Sequence, residues 1–335
     1  MTTHRIVYID IAKALGIILV IIGHTVSSNT LCKEILYAFH MPLFFLLSGI
    51  LIKDTESYNA MSWRKFLKKR FSQLMIPYVL FGLVYSSFSF KNLAFVLWGT
   101  RETLIYAGSL TSLWFLPVLF VANIIVGFVL RICHKKLWYH VLSLFIIFII
   151  GIKIPHIHQY GNFWGGDIAF VAAFFMLLAK YFRPFFDKMA ENLKLSSTVA
   201  FLSIIVFIIV LPLNHTDIGY VLMANAIYGN YFIFVFTAIL GCLSVLTVSM
   251  IMVKCRLDYK CITFVGQNTL GIFLVHKPFV ELGRKLTVFC GFDYNNLMIA
   301  LIIAFASLLF SLIAIRIIDN YVPVFLGYST SKYKV

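Results

Sequence analysis

YIDIAKALGIILVIIGHT, residues Tyr8 to Thr25, is an apolar run broken by Asp10 and Lys13 near one end and by His24 near the other. Its length suits a helix crossing the hydrocarbon core of a bilayer, which takes about 20 residues. An ionisable group inside such a helix costs several kcal/mol unless a partner or a cavity rescues it, so all three are functional candidates by default. At about 100° per residue, Lys13 and His24 differ by only about 20° in azimuth, and Asp10 lies within about 60° of both. The three share one face. The rise from Lys13 to His24 is about 16 Å, so they mark opposite ends of one pathway rather than a pair.

The rest of the chain asks for the same solvent. Of 335 residues, 61% are hydrophobic, 12% are charged and 34 are Phe. Globular domains carry about 25% charged residues, so too little polar surface remains to face water on all sides. At about 20 residues per span plus loops, the chain holds on the order of ten helices and no sizeable soluble domain. The expected fold is an all-α integral membrane protein, residues 1–335 forming a single polytopic domain. Apolar stretches bounded by charge or turn clusters place helices near 9–27, 35–52, 74–90, 113–131, 137–152, 165–181, 198–213, 231–253, 264–280 and 296–316. The polar segment 214–230 reads as a loop, with a re-entrant piece as the alternative. A cleaved signal peptide is not expected, because Asp10 and Lys13 come early and no small-residue cleavage site follows promptly.

The net charge of +15 would suggest nucleic acid in a soluble protein. Here it reads as orientation. With the N-terminus in the cytoplasm, 20 of the 28 Lys and Arg residues fall on the inner side, among them Arg5, Lys53, the run Arg64 to Arg70, Arg131, Lys135, Lys136, Lys332 and Lys334. Lys33, Lys91, Arg101, Lys153, Lys277, Arg284 and Lys285 fall on the other side. Both termini are therefore expected to be cytoplasmic, and no nucleic-acid partner is expected. The six cysteines form no C-x-x-C pair and no Cys/His ligand cluster, so no metal is expected.

In that topology His40, in FHMPLFFLLSG (39–49), and His276, in GIFLVHKP (271–278), fall in the outer half of their helices, at the depth of His24. Trp114, in SLWFLP (112–117), opens another helix at the same level. Three histidines at one depth favour a shared polar cavity, whereas Trp114 alone also fits an interfacial belt. Asp10 and Lys13 also fit an interfacial pair one turn apart, with His24 as a snorkelling cap. On the inner side, RKFLKKR (64–70) fits positive-inside charge or anionic-lipid binding. It also fits a phosphate-bearing ligand, and in the absence of a P-loop or dinucleotide motif such a site would be built from basic side chains and helix ends.

Five segments occur in order: YIDIAK…GH (8–24), FHMPLFFLLSG (39–49), FLKKR…PY (66–78), WFLP (114–117) and GQNT…H (266–276). Together they closely resemble the membrane-bound acyltransferase family 3, especially its fucose-4-O-acetylase-like sugar O-acetyltransferases, over residues 5 to about 316. In that family a basic residue, ten intervening residues and a His on the first helix are essential, a spacing that Lys13 and His24 match. Many relatives have Arg where this chain has Lys13, and the family's F-x-x-R-R element appears here as Phe66 to Arg70 with Lys69 at its first basic position. Lys keeps the charge but not the bidentate fork.

The resemblance implies transfer of an acetyl group from cytoplasmic acetyl-CoA, a co-substrate, to a sugar hydroxyl of an envelope polysaccharide or its lipid-linked precursor. The setting would be a bacterial cytoplasmic membrane. Lys69 and Arg70 would hold the CoA phosphates, Lys13 would meet the donor further in, and His24 would act as general base or as an acyl relay. His40 or His276 would orient His24, bind the sugar or steady the oxyanion, Trp114 would join the acceptor site, and Asp10 would partner Lys13. The competing reading is a transporter or flippase that uses Asp10, Lys13 and the histidines as a proton or substrate pathway. The motif match favours the enzyme.

Overall fold

The computed structural model describes residues 6–27, 30–52, 62–87, 89–108, 110–133, 137–157, 159–257 and 260–327. Arg5, Lys53, Lys135, Lys136, Lys332 and Lys334, counted above toward the orientation, lie outside these residues, as do both termini. The regular structure of the described residues is helical, with one isolated antiparallel bridge between Leu222 and Ile227. In chain order the helices are α1 (Val7–Thr25), α2 (Leu31–Tyr37), α3 (His40–Ile50), α4 (Trp63–Arg70), α5 (Ile76–Tyr85), α6 (Phe90–Trp98), α7 (Arg101–Tyr106) and α8 (Phe115–Ile132). They continue as α9 (Leu137–Lys153), α10 (Gly166–Tyr181), α11 (Arg183–Glu191), α12 (Leu193–Val210), α13 (Tyr231–Lys254), α14 (Lys260–Gln267), α15 (Thr269–Phe289) and α16 (Leu297–Tyr321).

Among the described residues, seven stretches are long and apolar enough to cross a membrane: Val7–Thr25, Leu31–Ile50, Thr111–Ile132, Phe163–Tyr181, Leu193–Leu213, Tyr231–Lys254 and Leu297–Tyr321. The chain is an all-helical, multi-pass membrane protein. Helix is the form such segments must take, because the bilayer offers no water to backbone N–H and C=O groups. The other three of the ten expected segments are also helical but differ in kind. Segment 74–90 enters through a π turn, Phe71–Met75, and its helix ends at Tyr85. Segment 137–152 is α9, apolar but only 17 residues long. Segment 264–280 is interrupted at Asn268, and α15 then runs on to Phe289 carrying Lys277, Glu281, Arg284 and Lys285. Segment 214–230 has no helix beyond a 3-10 turn at Met223–Asn225, in keeping with the expected loop.

The chain divides into two compact units. The first contains Met1–Leu47, Phe182–Val221 and Tyr228–Ile315. Within it α1 packs against α13, α14 and α15, and α12 lies along α13 with the Ser203 and Ser244 hydroxyls 2.9 Å apart. Gly266 sets the spacing of α14 from α1. A Cβ there would overlap the carbonyl oxygen of Asp10, so the two backbones touch where a side chain would hold them apart. The break between α2 and α3 also follows from the sequence. Pro42 has no N–H and its ring crowds the carbonyl four residues back, at Ala38, which favours the break at Ala38–Phe39 and leaves Pro42 in the first turn of α3, where a missing donor costs little.

The second unit contains Ser48–Tyr181, Leu222–Ile227 and Arg316–Val335. Here α10 packs against α8 and α9, and Gly49 lets the end of α3 lie directly on the backbone of Met176. An ion cluster ties several connections of this unit together. His156, between α9 and α10, has Nδ1 2.7 Å from Asp167 Oδ2 and Nε2 3.3 Å from Glu102 Oε1. The side-chain amide of Asn225 donates to Glu102, and Arg101 Nη1 donates to Asn225 Oδ1 at 2.8 Å. Because carboxylates only accept, both ring nitrogens of His156 carry protons when both bonds are made.

Burial alone would lower the pKa of His156. The hydrogen bonds and charges of Asp167 and Glu102 outweigh it and raise the value to about 9. Burial would raise the pKa of Glu102, but its bond to His156 prevails and holds the carboxyl below the ordinary range. A folded-state imidazole pKa above the unfolded one stabilises fully below roughly pH 6.5 and loses that contribution as the pH climbs. The melting temperature of purified protein should therefore fall as the pH rises through about 9, and His156→Gln should remove that component. Equal slopes for wild type and variant between neutral pH and the alkaline limb would contradict a charged His156 as the clasp.

Candidate functional site

The first helix is continuous from Val7 to Thr25, so Lys13 and His24 stand on one face as the periodicity requires. Asp10 is buried, whereas Lys13 and His24 are half-buried. The His24 end is tied down from α15: Arg284 Nη2 donates to the carbonyl oxygen of His24 at 2.6 Å. The last carbonyls of a helix lack intrahelical donors and carry the negative end of its dipole, so a guanidinium there satisfies both. Arg284 is itself oriented by Glu281, 3.4 Å away, and by the Tyr294 ring, 5.8 Å from its guanidinium carbon.

His276 lies beside His24. The ring centroids are 5.3 Å apart and the planes are tilted by 32°. His276 is fully buried, and its Nδ1 is 2.9 Å from the carbonyl oxygen of Phe273 and 3.1 Å from that of Ile272. A carbonyl can only accept, so Nδ1 bears the hydrogen. In the neutral ring Nε2 then presents a lone pair, and this buried atom has no hydrogen-bond partner among the described residues. Ser307 Oγ donates to the His276 carbonyl at 2.9 Å, anchoring the same turn from α16. Pro278, two residues on, removes one backbone donor from α15 at this level.

His40 repeats the arrangement. Its Nδ1 lies 2.7 Å from the Leu36 carbonyl, across the break between α2 and α3, so it too donates from Nδ1 and offers Nε2 as an acceptor. His276, Lys277, His40 and Lys33 all lie within electrostatic reach of His24. The three histidines expected at one depth thus belong to one cluster, in which two rings have their tautomer set by backbone carbonyls. His24 makes no side-chain hydrogen bond among the described residues, which leaves its ring available to a ligand proton.

Tyr37 was not singled out in the sequence and sits in the middle of this cluster. Its ring centroid is 4.6 Å from that of His40 and 5.1 Å from that of Tyr220, and its edge lies against Gly23. The spacing of Lys33, Tyr37 and His40 along α2 and into α3 was a readable signal. Tyr220 and Arg284 had none, since only tertiary contact brings them in.

The remaining expected site residues belong to the second unit. Trp114 ends the 3-10 turn Thr111–Trp114 and is buried, with its ring edge to face with Phe115 at 6.3 Å. It is therefore no exposed belt residue. Lys69 is exposed and Arg70 half-buried in the last turn of α4, immediately before the π turn. Trp63 and Phe66 stack at 5.4 Å, with the Arg70 guanidinium 5.7 Å from Phe66 and that of Arg131 4.5 Å from Trp63. Aromatic faces hold both guanidinium groups. Arg131 joins the basic cluster from the end of α8, a partnership invisible in sequence because the two residues are far apart along the chain.

A family model described as an acyltransferase domain matches residues 6–316. No curated protein and no solved structure matches the chain.

A hydrogen bond from a charged donor contributes about 1.5–3 kcal/mol. Replacing Arg284 by Ala should therefore raise amide exchange in the last turn of α1, around Ile22 to Val26, whereas Lys285→Ala should not. Exchange mass spectrometry of the detergent-purified protein checks this, and unchanged protection in the Arg284 variant would show that the α1 terminus is held by other means.

Proposed function

We propose a specific reaction for this chain, which belongs to the acyltransferase 3 family of multi-pass membrane proteins. The reaction is O-acetylation: an acetyl group passes from acetyl-CoA, bound from the cytoplasmic side, to a hydroxyl of an envelope polysaccharide or its lipid-linked precursor. The setting is the bacterial cytoplasmic membrane, with both chain termini on the cytoplasmic side. The observation that carries this reading is the His24–His276 pair, in which a half-buried imidazole stands next to a buried one whose Nε2 is left as an acceptor.

In this reading neutral His24 takes the proton of the acceptor hydroxyl as its oxygen attacks the thioester carbonyl. The C–O bond forms, the C–S bond breaks, and the proton leaves His24 with the departing thiol, so the ring returns to its starting state. The lone pair on His276 Nε2 supports the imidazolium that forms in between, as an orienting acceptor does in nucleophile–base arrangements. Lys13, about 16 Å along the same face, is too far from His24 to touch the reacting atoms, which leaves it the donor. The chemistry of the basic cluster fits the phosphates of a nucleotide-containing donor: Lys69, Arg70 and Arg131 supply charge, and the arginines supply bidentate geometry.

Membranes holding matched amounts of each variant, supplied with labelled acetyl-CoA and envelope glycan, test the assignment. His24→Ala should lower the rate by about 10²–10⁴. Lys13→Ala should abolish transfer while Lys13→Arg retains it. Undiminished labelling in the His24 variant would remove the histidine from the chemistry. Independently, the double change Lys69→Gln and Arg70→Gln should raise the KM for acetyl-CoA about tenfold or more. If KM is unchanged, the cluster serves orientation or lipid contact alone.

A further inference from the structure

One group of side chains beside the histidines takes no part in the proton transfer. The Lys33 ammonium lies 5.2 Å from the Tyr37 ring centroid and 5.0 Å from that of Tyr220. The two rings meet edge to face, and all three residues are half-buried. Tyr37 touches Gly23, the residue before His24, and its ring meets that of His40. The aromatic pair and its ammonium are thus built onto the turn that presents the proton acceptor.

Around that turn the carboxylate of Glu281 is paired with Arg284. The groups that act most strongly on the His24 ring are His276, Lys277, His40 and Lys33, all of them basic. Lys33 comes from α2 and Lys277 from α15, so the positive field reaches His24 from two separate helices. A proton acceptor needs no such field, and a neutral acceptor would gain nothing from it. An anion approaching His24 would gain charge-assisted hydrogen bonds from two ammonium groups in surroundings poorer in water than the surface. Tyr37 and Tyr220 add flat apolar faces suited to the C–H face of a pyranose, with hydroxyls at their rims.

We propose that Lys33, Tyr37, Tyr220 and Lys277 form the acceptor subsite and that it selects an anionic sugar. The pyranose lies against the tyrosines, the acid group is held by the two lysines, and a hydroxyl faces His24. The acid is either a carboxylate on the ring or a phosphate at the anomeric carbon, as in a lipid-linked precursor. This rests on the acetyl-transfer reading above only for the role of His24.

Binding of three probes to purified protein separates the possibilities: 4-nitrophenyl glucuronide, glucose 1-phosphate and the neutral 4-nitrophenyl glucoside. One or both anions should bind about tenfold tighter than the glucoside, as a charged hydrogen bond would give. Preference for the glucuronide alone identifies the ring carboxylate, and preference for the phosphate alone identifies the anomeric phosphate. The double variant K33Q/K277Q should lose most of the preference, while K33R, which keeps the charge, should retain it. A melting curve that matches wild type excludes misfolding, and K277Q alone serves if the double variant fails that check. Equal affinity for all three probes, or a preference indifferent to both lysines, overturns the proposal. A protein that discriminates among the probes yet transfers no acetyl group would instead overturn the reaction and leave the subsite standing.

Discussion

A helix that carries Asp10, Lys13 and His24 through an apolar bundle is expensive, and the arrangement of the first unit follows from how that cost is met. Both ends of α1 are secured by the helix pair α14–α15. At one end Gly266 brings backbone against backbone at Asp10, and at the other Arg284 satisfies the carbonyl of His24. Between these ties α1 cannot rotate without driving a polar group into hydrocarbon. The face bearing Lys13 and His24 is thereby fixed relative to α13, α14 and α15.

The same economy of polar groups fixes the chemistry. In water a neutral histidine exchanges freely between tautomers. Here carbonyls at Phe273, Ile272 and Leu36 claim the Nδ1 hydrogens of His276 and His40, because a buried carbonyl and a buried N–H are each costly alone. The Nε2 atoms are left as acceptors. His24 packs its ring against that of His276 and is tied through its carbonyl to Arg284, and of the three rings it is the one whose tautomer no backbone carbonyl sets.

The second unit solves a similar problem with charge. A protonated His156 bridges the carboxylates of Glu102 and Asp167, the Asn225 amide adds a second bond to Glu102 Oε1, and Arg101 holds that amide through its oxygen. Nothing local announces this cluster. Glu102 and Asp167 open helices and read as ordinary first-turn acids, and His156 reads as a loop histidine. The basic cluster has the opposite history: the run Arg64 to Arg70 stands out at once, whereas the partnership of Arg131 with Trp63 depends on α8 ending beside α4.

By itself the sequence determined that the chain is helical and membrane-embedded, that α1 carries its ionisable residues on one face, and that His24, His40 and His276 merit attention together. Those conclusions rest on hydropathy, helical period and the cost of charge in lipid, all of which act within a single segment. Only the tertiary structure decided which ring nitrogen of His276 and His40 is left as an acceptor, that Arg284 closes the end of α1, and that Tyr37 and Tyr220 share Lys33 beside the His24 turn. Each of these is a contact between residues that no period or spacing relates. It exists because helices distant in the chain pack closely enough to trade hydrogen bonds they could not make alone.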